Sequence, residues 1–224
     1  MKSVVIFDTG TGGRLFAEYF QLNYPDVAVE VVIDDENAPY GDKSNSDIFY
    51  LTEATIGKYI GKVDAIVLAC NTATAVAIDR LRAKYPSQIF IGFEPMIKTG
   101  AKLTQTGKIA VLATSATKKS DRYKALKSRF PEITVIEPNC DTWATKIDSG
   151  NLSQNDIKNA LDGQLDGVDV IILACTHYVA VVDQIQRIAG PKIRVIYPFA
   201  AVSNYIIKLL GIIKTGINDA KTDN

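Results

Sequence analysis

Two cysteines stand in nearly the same short phrase, 105 positions apart (175 − 70), and this repeat points most directly to chemistry. Residues 64–74 read DAIVLACNTAT and residues 169–179 read DVIILACTHYV, so Cys70 and Cys175 occupy equivalent places. A thiolate can remove a proton from a carbon atom, and a thiol can return one. Two thiols on opposite sides of one substrate carbon would invert its configuration without a cofactor. The pattern therefore predicts Cys70 and Cys175 as a two-base pair.

Each cysteine is expected between a strand and a helix, a position that favours a thiolate. Asn71 or Thr72 after Cys70, and Thr176 after Cys175, are residue types that cap helices. Because a helix N-terminus favours negative charge, we expect each thiol to ionise more readily than a free cysteine. The alternative is that each cysteine is only a small buried apolar residue.

Further polar residues at the predicted strand ends could support the thiols. Asp8 is expected to hold a substrate ammonium or to help one thiol lose its proton, and His177 to orient or assist Cys175. A proton beside a carboxylate is weakly acidic, so preorganised donors must stabilise the charge that develops. The strand ends supply such donors at Thr9, Asn71, Thr72, Thr114, Thr117 and Thr176.

Composition narrows the classes of protein. The 224 residues carry 25 basic and 25 acidic side chains, a balance that indicates neither nucleic acid nor a membrane as partner. No secretory signal or spanning segment is evident, so we expect the cytosol, where the three cysteines would be thiols. One histidine and no Cys-x-x-Cys disfavour a metal site. The glycine-rich turn GTGG at 10–13 lacks nucleotide-binding spacing, and Cys140 has no counterpart, which favours a place in the core.

Short apolar runs alternate with amphipathic stretches along the chain. Strands are predicted over 3–7, 27–33, 65–68, 89–93, 109–112, 134–136, 170–173 and 193–196. Helices are predicted, among others, over 46–59, 73–84, 119–129 and 154–165, and the polar tail 214–224 is expected to fray. This alternation predicts an α/β fold with mostly parallel sheets.

The repeat extends beyond the cysteines. Segments that start at Ser3 and Lys108 share the same offset, as do Pro86 and Pro191. The sequence therefore predicts two pseudo-symmetric α/β domains. Since ligands bind beyond the carboxyl ends of parallel strands, the active site is expected in the cleft between them.

Six motifs in order carry a family resemblance. They are FDTGTGG at 7–13, APYGDKS at 38–44, ACNTAT at 69–74, GFEPMIK at 92–98, LATSATKKSDRY at 112–123 and ACTHY at 174–178. Together they resemble the glutamate racemases of the aspartate/glutamate racemase superfamily, over about residues 4–200. The resemblance implies cofactor-independent interconversion of L- and D-glutamate, with D-glutamate feeding peptidoglycan synthesis in cell wall biogenesis.

The resemblance also assigns roles by position. It implies Cys70 and Cys175 as the acid/base residues, acting on the D and L forms respectively, with Asp8 and His177 supporting one thiol each. The implied substrate contacts are Asp8, Thr9, Pro39, Tyr40, Gly41, Asn71, Thr72, Thr114, Thr117 and Thr176. The implied domains are 1–96 completed by 208–224, and 97–207, with a homodimer as one option for the assembly.

Several positions depart from the family pattern. Asp148 stands where a glutamate is usual, as a shorter carboxylate support, and Ala174, Val179 and Tyr197-Pro198 also differ. The departures leave three alternatives: a glutamate racemase, a racemase of aspartate or another small acidic compound, and a catalytically silent protein that binds an amino acid. His177 favours glutamate as the substrate, because aspartate racemases usually have a glutamate residue at that position.

Overall fold

Two four-stranded parallel sheets organise the computed structural model, which describes residues 1–212. The first sheet contains β1 (Ser3–Asp8), β2 (Ala28–Ile33), β3 (Ala65–Leu68) and β4 (Ile89–Gly92). The second contains β5 (Lys108–Leu112), β6 (Thr134–Ile136), β7 (Val170–Leu173) and β8 (Arg194–Ile196). The predicted tail 214–224 lies outside the described residues.

Both sheets have the same strand order. The first runs β2-β1-β3-β4 and the second β6-β5-β7-β8, so each strand of one half has its counterpart in the other. The central strands start at Ser3 and Lys108 and, one step along, at Ala65 and Val170, which is the offset found between the cysteines. The predicted pair of similar α/β halves with parallel sheets is confirmed.

Ten α-helices connect and cover the strands in the described part. They are α1 (Thr11–Asn23), α2 (Asn45–Ile56), α3 (Asn71–Lys84), α4 (Ile97–Leu103), α5 (Ser115–Lys119), α6 (Asp121–Ser128), α7 (Trp143–Asp148), α8 (Gln154–Leu161), α9 (Val182–Ala189) and α10 (Phe199–Leu209). Three 3₁₀ helices lie at Tyr40–Asp42, Gly57–Tyr59 and Thr176–Val181. No helix among residues 1–212 has both the length and the apolar character needed to cross a bilayer.

The central strands are buried because helices cover both faces of each sheet. Every residue of β3 and of β7 is buried, which explains why these strands read as unbroken apolar runs rather than as alternating ones. Their carboxyl ends are therefore fixed by the core on both sides. The residues that follow β3 and β7 are therefore held in fixed positions.

The last described helix returns to the first half. The ring of Phe199 in α10 lies 5.3 Å from that of Phe16 in α1 and 6.1 Å from that of Phe93, measured between ring centroids. The Tyr24 hydroxyl donates a hydrogen bond of 3.0 Å to Oδ1 of Asn204. The last described helix thus packs on the first half from Phe199 onward, while the implied division at 97 and 207 stays a prediction.

The glycines expected to form a turn lie instead in and beside a helix. Gly12 and Gly13 are buried in the first turn of α1. A Cβ atom on Gly12 would lie 2.3 Å from Cβ of Thr176, and one on Gly13 would lie 2.3 Å from Cβ of Asp8. The absence of side chains therefore lets α1 approach the second half closely.

Candidate active site

Both cysteines follow equivalent buried strands and line the same cavity between the two halves. Cys70 lies just beyond β3 and Cys175 just beyond β7, and each is only 6% exposed. The cavity is lined by twelve of the fourteen predicted site residues: Thr9, Pro39, Tyr40, Gly41, Cys70, Asn71, Thr72, Thr114, Asp148, Cys175, Thr176 and His177. The other two, Asp8 and Thr117, are buried behind its wall.

Cys70 itself caps α3. Its Sγ accepts a hydrogen bond of 3.4 Å from the backbone N–H of Ala73, and the Thr9 hydroxyl donates another of 3.7 Å. The expectation that Asn71 or Thr72 would cap this helix is wrong, since the sulfur occupies that role.

Cys70 is also harder to ionise than predicted. Burial, followed by the negative charge of Asp8, raises the pKa of the Cys70 thiol above its usual value of 9.0. The hydrogen bonds from Ala73 and Thr9 oppose this shift without cancelling it. Because a buried thiolate loses hydration, the helix N-terminus does not dominate here as the sequence suggested.

A chain of polar side chains leads to Cys175 along the cavity wall. Its Sγ lies 3.8 Å from Nδ1 of His177, and Nε2 of the same ring lies 2.9 Å from Oδ2 of Asp148. The Thr11 hydroxyl donates a hydrogen bond of 2.9 Å to the other oxygen of Asp148. The shorter carboxylate of Asp148 therefore still reaches the imidazole.

The electrostatics of this chain favour an ion pair. Burial opposes protonation of His177, but the hydrogen bonds to Asp148 and Cys175, together with nearby negative charges, outweigh it and raise the His177 pKa well above 6.5. Burial likewise opposes ionisation of Asp148, but its bonds to His177 and Thr11 lower the pKa of this carboxyl below 3.8. An imidazolium beside Cys175 stabilises negative charge on the sulfur.

The segment after Cys175 differs from the predicted capped α-helix. It is the 3₁₀ helix Thr176–Val181, and the Cys175 side chain makes no capping hydrogen bond. The Thr176 hydroxyl instead donates a bond of 3.0 Å to Oδ2 of Asp8. The expected capping role of Thr176 is therefore wrong.

Asp8 is completely buried at the end of β1. Burial raises the pKa of its carboxyl, although the charge of His177 and several hydrogen bonds act in the opposite direction. Its Oδ1 makes no hydrogen bond in the described structure. Thr176 stands between Asp8 and the cavity, so a direct contact of Asp8 with a substrate stays a prediction.

Three threonines from the two halves form a hydroxyl cluster. The Thr72 hydroxyl lies 3.1 Å from that of Thr114 and 3.4 Å from that of Thr117, and the Thr114 hydroxyl lies 3.0 Å from that of Thr117. Beside them, Asn71 donates through Nδ2 to the carbonyl oxygen of Phe93, while its buried Oδ1 has no partner among the described residues. Rotatable hydroxyls and amides of this kind bind carboxylates without a fixed charge.

The Pro39–Gly41 segment closes another side of the cavity. The buried Tyr40 hydroxyl points away from the substrate space and donates a bond of 2.6 Å to Oδ2 of Asp34. Burial, and then this bond, raise the Tyr40 pKa. Asp34, which the sequence reasoning missed, therefore anchors the segment that the motif identified.

Some cavity residues were not predicted. Asp141, Ala144 and Thr145 line the cavity together with Asp148. Their spacing of three and four residues places them on one face of α7 and the turn before it. This spacing is the feature of the sequence that could have identified them as neighbours on one face. Cys140, by contrast, is 1% exposed in the core, with its Sγ 3.5 Å from the carbonyl oxygen of Ala113.

Comparison with known families identifies the kind of protein to which this chain is similar. A family model described as Asp/Glu/Hydantoin racemase matches residues 25–206. Glutamate racemase from Pseudomonas aeruginosa is 34% identical over 216 residues, which cover 93% of this chain and 81% of that protein. Glutamate racemase from Clostridium perfringens is 36% identical over 197 residues, covering 85% and 76% respectively.

Solved structures give the same result. Escherichia coli glutamate racemase, in complex with L-glutamate and an activator, superposes with a TM-score of 0.84 at 26% identity, covering 100% of this chain and 86% of that one. Bacillus anthracis glutamate racemase RacE1 superposes with a TM-score of 0.83 at 25% identity, covering 94% and 82%. Aspartate racemase from Picrophilus torridus has a TM-score of 0.63 at 21% identity, which is a likeness of fold alone.

Proposed function

The chain belongs to the Asp/Glu/hydantoin racemase family, and we propose that within it the protein interconverts L- and D-glutamate by proton transfer between Cys70 and Cys175. One observation carries the proposal: both thiols follow equivalent strands and line a single cavity. That arrangement is what a two-base inversion needs, since the two bases must address opposite faces of one carbon.

The proposed reaction moves one proton at each sulfur. A thiolate removes the proton from Cα on one face, and the electron pair left on carbon takes a proton from the opposite thiol. The first sulfur ends as a thiol and the second as a thiolate, so the enzyme must exchange a proton with water before the next turnover. No redox change or cofactor is required.

The two thiols start from different surroundings. His177, whose pKa is raised by its bond to Asp148, lies beside Cys175, whereas burial and the charge of Asp8 raise the pKa of Cys70. The positive charge of a substrate ammonium that enters the cavity would favour the Cys70 thiolate and so oppose this shift.

Glutamate as substrate is supported by the relatives and by the polarity of the site. The hydroxyls of Thr72 and Thr114 and the amide of Asn71 are suited to one carboxylate. Proposed roles for Thr9, Pro39, Gly41 and Thr176 in holding the remainder rest on their place in the cavity wall. Supply of D-glutamate to peptidoglycan, a cytosolic location and a homodimer stay predictions.

Circular dichroism of the substrate tests the proposal. Purified protein should bring the circular dichroism signals of L-glutamate and of D-glutamate to the same final value. This value is that of the racemate, because the equilibrium constant of a racemisation is one. Loss of the L-aspartate signal instead would favour the aspartate alternative. No loss with either amino acid, while binding persists in calorimetry, would favour the silent binding protein.

A further inference from the structure

A second cavity opens beside the catalytic one, on the side of α1. This cavity, here called the vestibule, has a volume of about 480 Å³. Five residues line both cavities: Thr9, Ala38, Pro39, Thr145 and Asp148. Thr9 contacts Cys70, and Asp148 contacts the histidine beside Cys175. The vestibule therefore reaches the immediate partners of both thiols.

One cation lines this vestibule. Arg14 is exposed on α1, and it is the only lysine or arginine lining either cavity in the described part of the chain. No carboxylate of residues 1–212 forms an ion pair with it within 4.0 Å. Thr11 lies three residues earlier on the same helix face and holds Asp148.

The vestibule also carries negative charges, which oppose the attraction of an anion by Arg14. Asp35 and Asp148 also line it, and both repel an anion that approaches. Asp148 is offset by its bond to His177, whereas Asp35 is exposed and forms no ion pair among the described residues. Among the described residues that line this opening, Arg14 is thus the one charged side chain that attracts an anion and offsets Asp35.

We propose that the vestibule is the entrance for the substrate and that Arg14 guides its carboxylates into the catalytic cavity, an inference that rests on the proposed function. Arg14 is a positioning residue and touches no reacting atom. A guanidinium suits this task because it stays charged at any physiological pH and binds carboxylates through two parallel hydrogen bonds.

A rival opening exists on the other side of the site. It has a volume of about 440 Å³, is lined by Lys43 and Lys119, and shares only Gly41, Asp42 and Ser115 with the catalytic cavity. None of these three shared residues contacts a catalytic sulfur through a hydrogen bond. The vestibule is therefore the better connected of the two openings.

Steady-state kinetics at two ionic strengths test the role of Arg14. At low ionic strength Arg14→Gln should lower kcat/KM about 3- to 10-fold, with kcat changed less than about twofold, and high salt should remove most of the difference. Arg14→Lys should keep most of the guidance. Arg129→Gln removes the same charge from an exposed site that lines neither opening and should match the wild type.

A chemical probe gives a second readout that does not need racemase activity. Anionic iodoacetate and neutral iodoacetamide alkylate the same thiols, so the ratio of their rates at Cys70 and Cys175 reports how anions reach the cavity. Arg14→Gln should lower this ratio about 3- to 10-fold at low ionic strength, measured by peptide mass spectrometry. If the wild type proves inactive, the proposed function fails while this ratio still tests the entrance.

Specific results would overturn the proposal. The proposal fails if Arg14→Gln behaves as Arg129→Gln does in both assays. It also fails if Arg14→Gln lowers kcat without changing the salt dependence of kcat/KM. A larger loss in Lys43→Gln would place the entrance at the rival opening. Wild-type protein in which neither reagent modifies Cys70 or Cys175 would show that the vestibule does not lead to the thiols.

Discussion

The Thr176 hydroxyl donates a hydrogen bond of 3.0 Å to Oδ2 of Asp8, and this bond joins the two halves of the molecule behind the catalytic cavity. Thr176 follows β7 of the second sheet, whereas Asp8 ends β1 of the first. Gly12 of α1 packs directly against Thr176, which allows the two groups to meet. The spacing between the thiols thus depends on a contact that contains no catalytic sulfur.

Replacing this glycine should separate the halves. In Gly12→Ala the new Cβ would lie 2.3 Å from Cβ of Thr176 and 2.5 Å from its carbonyl carbon, too close for either to remain in place. Overpacking of this kind costs about 1–3 kcal/mol. We expect that loss in denaturant unfolding, together with a fall in kcat larger than stability alone explains.

Gly57→Ala is the matched control. A Cβ there meets nothing within 4 Å, and the backbone of Gly57 has helical angles that alanine adopts freely. Its stability should equal or slightly exceed that of the wild type. Equal behaviour of the two variants would contradict the idea that Gly12 sets the approach of the halves.

The state of His177 can be measured directly, because it is the only histidine of the chain. Its pKa should lie well above 6.5 in proton NMR titrations of the folded protein. Asp148→Asn removes the carboxylate that stabilises the imidazolium and should lower that pKa. Asp148→Glu keeps the charge and should largely preserve it.

The same pair makes a prediction about stability. The raised pKa of His177 stabilises the fold fully below about pH 6.5, and this contribution is lost as the pH rises through the folded value. The lowered pKa of Asp148 stabilises it above about pH 3.8. The deficit of Asp148→Asn should therefore be largest between these limits, and a deficit independent of pH would count against the ion pair.

Much of this architecture could be predicted from the sequence. Strands β3, β6 and β7 begin and end where their apolar runs do, since buried parallel strands leave an uninterrupted apolar signal. The offset between Ser3 and Lys108 likewise predicted two equivalent halves. Placement of both cysteines beyond equivalent strand ends followed from that repeat.

What the sequence did not reveal depends on contacts between distant segments. Gly12 and Gly13 resembled a turn, because nothing local indicates that Thr176 and Asp8 would occupy the space of their side chains. The ionisation of Cys70 was misjudged for a related reason. A helix N-terminus is visible in sequence, whereas the degree of burial that outweighs it appears only in the fold.

The raised pKa of Cys70 gives a test of the charge at Asp8. Asp8→Asn removes a negative charge that disfavours the thiolate, so the apparent pKa of Cys70 should fall. The rate of alkylation of Cys70 by neutral iodoacetamide between pH 7 and 10 reports the fraction of thiolate, and this rate should therefore rise in Asp8→Asn. Racemisation should nevertheless weaken, because Asp8 also holds Thr176 in the cavity wall.

Asp26→Asn serves as the control, since Asp26 is exposed before β2 and its removal changes the net charge equally. The alkylation profile of this variant should overlie that of the wild type. An unchanged profile in Asp8→Asn as well would mean that Asp8 is already neutral in the folded protein.

The two-base scheme makes its strongest prediction in heavy water. Each thiol exchanges its proton with solvent, so the sulfur that delivers a proton delivers deuterium to the product. Starting from L-glutamate, deuterium should appear in D-glutamate before it appears in the remaining L-glutamate, and the reverse should hold from D-glutamate.

Cys70→Ala and Cys175→Ala should each abolish turnover, because one base alone cannot serve both faces. Cys140→Ala removes a buried thiol that does not line the cavity and should keep kcat near the wild-type value, although its stability falls by about 1 kcal/mol. Chiral chromatography with mass detection measures both turnover and labelling. In the wild type, equal early labelling of both enantiomers with deuterium would point to a single shared base.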